Sequence, residues 1–96
     1  GLAVYDRVLK RMRELVRTGN YVMTLHAENE MDADGMSISD IENIVLTGRM
    51  THRQKDRVSG QWKYLVTGES LTRDSATTVA KIGPSGTLVF ITVFRD

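Results

Sequence analysis

Two histidines, His26 and His52, are the side chains of this 96-residue chain best suited to moving protons near neutral pH. Their surroundings are opposite. His26 opens a stretch, residues 26–48, that holds six acidic residues and no Lys or Arg. Its nearest neighbours are acids and apolar residues, and it stands where a strand turns into a helix. There it either acts as a general base or hydrogen-bonds a backbone group and fixes the turn. His52 stands among Arg53, Lys55 and Arg57, company in which an imidazole is available to accept a proton. Lys63, Arg73 and Lys81 continue this basic half.

The formal charge is +3 over residues 1–25, −6 over 26–48 and +4 over 49–81, so the net +1 hides a polarised molecule. A local basic face can draw a phosphate backbone to a protein that is almost neutral as a whole. The plainer alternative is that both signs are solvated surface. Trp62 and Tyr64 fall on one face of a period-two stretch, where they could stack on bases at about 1–3 kcal/mol each. Such pairs more often belong to a core, Trp62 above all, since the Tyr64 hydroxyl wants a partner. Glu28, Glu30, Asp32 and Asp34 lack the loop spacing of a calcium site and read as a solvated helix face.

Composition narrows the chemistry. The chain has no cysteine, which excludes disulfides, zinc ribbons and thiol catalysis. Two histidines that are not closely paired make a transition-metal site unexpected, and no cofactor is expected. At 41% hydrophobic and 26% charged, the chain reads as a soluble globular protein, one domain over residues 1–96. No apolar run approaches the ~20 residues that span a bilayer, and residues 1–20 lack the apolar core of a signal peptide. A cytoplasmic protein is the expectation, with Gly1 in place of Met suggesting a processed start.

The elements that must position these side chains follow from period and caps. Val4, Tyr5, Val8, Leu9, Met12, Leu15 and Val16 recur at helical steps, and Gly19-Asn20 stops that helix. Residues 21–25 form a short strand and residues 26–34 a polar helix, with Ala27 and Met31 as its buried pair and Gly35 as its exit. Ser37 and Asp40 predict a reciprocal cap for the next helix, with Met36 stapled onto Ile41 and Gly48 as the end; Ser39 with Glu42 is an alternative register. The period then becomes two. Strands are expected at 49–52, 61–67, 77–82 and 87–94, the last pair flanking the turn Gly83-Pro84-Ser85-Gly86. The final run is apolar on both faces and predicts a central strand with helices on one side. The class is α+β: a helix, a short strand, two short helices, then an antiparallel sheet of three to four strands.

One pattern goes further. The stretch T-x-H-A-x-x-x-M-x-x-x-G-M-S-x-x-D-I, from Thr24 to Ile41 with Gly48 following, resembles a small, largely uncharacterised bacterial domain family. That family tends to read T-x-H-A, Met, Arg-Gly-Ile-Ser, an acid and a closing Gly. WKYLVTG, TTVAKIGPSG and LVFITVF are similar to its later strands, so the resemblance covers about residues 21–94. Asp34 stands where the family tends to have Arg, and any role of that Arg is not carried over. Such domains look like distant relatives of the RelE/MqsR group of toxins, in which short helices pack on an antiparallel sheet whose exposed face cuts messenger RNA.

The resemblance implies a toxin of a type II toxin–antitoxin pair, a metal-independent endoribonuclease acting on free or ribosome-bound RNA and silenced by a cognate antitoxin. No membrane is implied, nor DNA binding by the toxin alone. The alternative is a binding module of the same fold without catalysis. Cleavage needs a base for the 2′-hydroxyl, a cation for the phosphorane and an acid for the leaving oxygen. The implied catalytic set is Lys63, Lys81, His26 and Tyr64, with Arg53, Lys55, Arg57, Arg73 and His52 on the substrate. Lys63 and Tyr64 are adjacent and point to opposite faces unless a bulge re-aims one. The expectation is that cations from separate strands gather on one open surface, away from the acidic helices.

Overall fold

In the computed structural model, which describes residues 2–96, three helices cover one face of a five-stranded sheet. Gly1, with its suggestion of a processed start, lies outside the described residues. The elements are α1 (Leu2–Arg17), β1 (Tyr21–Met23), α2 (Leu25–Asp34), α3 (Ile38–Thr47), β2 (Arg49–Lys55), β3 (Trp62–Glu69), β4 (Ser75–Ile82) and β5 (Leu88–Arg95). The α+β order expected from the sequence is the observed one. Strands run β1-β5-β4-β3-β2 across the sheet, antiparallel except for the parallel β1–β5 pair.

The core follows from alternation. Met50, Tyr64, Val66, Ala76, Thr78, Ala80, Leu88, Phe90 and Val93 point to the helical layer and are buried with Met12, Met31, Ile41, Ile44 and Val45. The reverse face carries Leu65, Val79 and Val89, only half-buried because no element covers it. Small residues let α3 come close. A Cβ on Gly68 would stand 2.2 Å from the Ile44 carbonyl oxygen and 2.8 Å from the Gly48 Cα, so helix and strand touch main chain to main chain there.

Caps behave as the residue types require. Ser37 and Asp40 form the reciprocal box at the start of α3, and the Ser39–Glu42 register is not the one used. Gly35 closes α2 at φ 65°. Arg13, outwardly a surface cation of α1, donates to the carbonyls of Val45 (3.1 Å) and Gly48 (2.8 Å), satisfying the open end of α3. β1 is shorter than expected because α2 begins at Leu25, capped by Thr24. Where β1 ends, α2 takes over the edge of β5. Thr24 donates its N–H to Phe90 and its hydroxyl to Ile91, and the Glu30 carboxylate accepts the Val93 N–H at 3.0 Å.

Candidate nucleic-acid interface

β2 is longer than its apolar content predicts, running to Lys55 with only Met50 buried. Beyond Met50 it forms, with the start of β3, a ribbon that leaves the helical layer behind. Its turn is built locally: Asp56 accepts the N–H groups of Val58 (2.8 Å) and Ser59 (3.1 Å), and Gly60 takes φ 74°. Those two backbone donors hold the Asp56 carboxyl below its ordinary value, Ser59 first and Val58 second. A bulge between Met50 and His52 then fixes which side chain faces where.

Pairing His52 with Leu65 and Gln54 with Lys63 puts His52, Gln54 and Lys63 on the uncovered face. Lys81 is one step beyond the Tyr64–Ala80 pair and shares that face, beside Lys63. Its Nζ donates to the Gln61 side-chain oxygen at 2.9 Å. Three adjacent strands thus bring an imidazole, two ammonium groups and two amides to one side of the sheet, with a shallow hollow of about 400 Å³ between His52, Gln54 and Leu65.

The ribbon is basic on its other side too. Arg53 and Lys55 point the opposite way, toward Trp62. The Arg53 guanidinium carbon is 4.3 Å and the Lys55 Nζ 5.8 Å from the centre of the Trp62 ring. Trp62 remains 38% exposed, whereas Tyr64, two residues on, is buried under the helical layer. This reverses the expectation that Trp62 is the core member of the pair: the helices reach Tyr64 and stop short of Trp62.

The expected gathering of cations on a single surface is therefore only partly met. Lys63, Lys81 and His52 share the open face; Arg53 and Lys55 lie on the reverse of the ribbon; Arg57 sits in its turn. Arg73 is in the β3–β4 loop at the far end of β3, with φ 67°. Tyr64 does not join Lys63, since no bulge in β3 re-aims it. His26 is in the first turn of α2, near the opposite edge of the sheet, its Nε2 3.2 Å from the same Glu30 oxygen that accepts the Val93 N–H. No apolar period marks this part of β2, and only its pairing across the hairpin reveals the ribbon. Extending β2 through Arg53 and Lys55 sets these across the hairpin from Trp62, a diagonal and a direct neighbour.

The residues of the Thr24–Ile41 pattern account for themselves structurally, apart from His26. Thr24 and Ser37 cap helices, Ala27, Met31, Met36 and Ile41 are buried, and Gly35 holds the left-handed turn. Asp40 also accepts the Leu71 N–H at 2.9 Å, and its carboxyl is held low by the backbone donors of Ser37 and then Leu71. Among the described residues no helix is long and apolar enough to cross a membrane.

No curated protein and no solved structure matches this chain. Residues 23–95 match the family model described as Domain of unknown function (DUF4258), which takes in every strand but most of β1 and leaves α1 outside. With three-quarters of its length inside that match, the chain belongs to the DUF4258 family.

Proposed function

We propose that this protein is an RNA-acting toxin related to the RelE/MqsR group, a metal-independent endoribonuclease that grips RNA with the β2–β3 ribbon and the neighbouring part of the open sheet. The observation that carries this reading is the presence of Lys63, Lys81 and His52 on one uncovered face, from three adjacent strands. Lys63 and Lys81 clamp the phosphate and stabilise the phosphorane. His52 takes the 2′-hydroxyl proton as the 2′-oxygen attacks phosphorus, and the P–O5′ bond breaks. A proton returned to the 5′-oxygen leaves a cyclic phosphate and a free 5′-hydroxyl. Arg53, Lys55 and Trp62 hold the flanking strand by charge and stacking. The acidic α2 and α3 repel phosphate and so orient the chain of RNA. Messenger RNA, free or on the ribosome, is the substrate, and a cognate antitoxin is the silencing partner.

Inducing the protein in bacteria tests this reading. Growth arrest and cut transcripts are expected from the wild type, and relief from Lys63→Ala with Lys81→Ala. Normal growth with intact transcripts on wild-type induction contradicts it.

A second reading, RNA binding without cleavage, is favoured by the burial of Tyr64 and the remote position of His26, which leave His52 as the one histidine beside the lysines. Salt-sensitive RNA binding by a wild type that leaves transcripts whole identifies that case.

A further inference from the structure

At the edge of the sheet away from the ribbon, β1 has a neighbour on one side only. Asn20 and Thr24 direct their main-chain groups to β5, accepting from Leu88 and donating to Phe90. Parallel pairing alternates, so the N–H and C=O groups of Tyr21 and Met23 face outward. Among the described residues no hydrogen bond reaches them from that side. Beside this edge is a groove of about 440 Å³ between β1, α2 and the start of α3. Met31 and Met36 line it, Ile38 (53% exposed) stands open at it, and Glu28 and Asp32 on α2 add two carboxylates with no cation among the lining residues.

We propose that this edge binds an extended segment of a partner polypeptide in which apolar residues alternate with Lys or Arg. The segment adds a strand to β1 through the main chain of Tyr21 and Met23. Its apolar side chains enter between Met31 and Met36, whose unbranched thioethers adapt to varied shapes. Its cations meet Glu28 and Asp32, and this charge complementarity selects a basic partner over an acidic one. An exposed strand edge with no Pro, Lys or Arg upon it is otherwise a liability for a soluble protein. The site does not depend on the RNA reading, because it uses none of the ribbon residues.

The test is selection of peptides from a random library against the full chain, followed by titration of one synthetic winner into isotope-labelled protein. Enrichment of alternating apolar and basic residues is expected, with amide shifts at residues 21–23 and 36–38. Glu28→Lys with Asp32→Lys is expected to weaken the peptide by about tenfold, with its circular dichroism unchanged. Added salt is expected to weaken the wild-type complex as well, which keeps the test decisive if the double variant folds poorly. Winners without basic residues, shifts elsewhere in the protein, indifference to both charge reversal and salt, or pairing of β1 with a second copy in sedimentation each overturn the proposal.

Discussion

The guanidinium of Arg53 lies over the ring of Trp62, its central carbon 4.3 Å from the ring centre, on a ribbon that the helices do not cover. Trp62 is the chain's single tryptophan, so its fluorescence reports on this spot alone. Titration with single-stranded RNA is expected to change that signal. Trp62→Ala is expected to reduce affinity by about 1–3 kcal/mol, the scale of one stacking partner. An unchanged signal on saturating RNA contradicts a role for the stack.

Gly68 makes a sharp stability prediction. Its missing Cβ would fall 2.2 Å from the Ile44 carbonyl oxygen, a main-chain atom that cannot swing aside. Gly68→Ala is expected to cost about 3 kcal/mol or more in urea unfolding. Gly60→Ala meets open space and only the strain of φ 74°, so about 1–2 kcal/mol is expected there.

Asp40 accepts the Ser37 N–H within the cap of α3 and the Leu71 N–H of the β3–β4 loop, and Asp40→Ala is expected to cost about 1–2 kcal/mol. Its folded pKa lies below the ordinary 3.8, chiefly through the Ser37 donor. A depressed carboxyl stabilises the fold above its unfolded value, and that share fades as pH falls through the folded one. Acid unfolding of the Asp40→Ala variant is expected to show a shallower loss of stability below about pH 4.

Tyr21 gives the opposite sign. Burial first, and then its 2.7 Å hydrogen bond to the Glu42 carboxylate, push its hydroxyl from 10.0 up to about 12. A raised pKa means that this share of stability is present below pH 10.0 and disappears as pH climbs toward about 12. Ultraviolet titration of the folded protein is expected to show one tyrosine ionising late, and Tyr21→Phe to remove it.

Much of this architecture was legible in the sequence because the signals were local. Ser37 with Asp40, Gly35 and the Gly83–Gly86 turn each determine their neighbours' backbone by short-range chemistry. The choice of Lys63 and Lys81 came from the family resemblance, and the β3–β4 register sets the two side by side. What escaped was non-local or masked by polarity. The parallel β1–β5 pair joins residues far apart in sequence, and nothing in three residues announces it. Strand β2 past Thr51 is polar on both faces, so no period marks it as a strand. Arg13 looks like any surface cation of α1 until the end of α3 is seen beneath it. Trp62 and Tyr64 share a face, and only the extent of the helical layer decides which of them is covered.

If Lys63 and Lys81 hold RNA on the open face as proposed, the salt dependence of binding counts the phosphates that they neutralise. Affinity for a labelled single-stranded RNA is measured over a range of salt for the wild type and for Lys63→Ala with Lys81→Ala. Each phosphate that the variant no longer neutralises is expected to reduce the slope of log affinity against log salt by about 0.7, so the double change reduces it by roughly 1.4. An identical slope and affinity in both proteins contradicts the account.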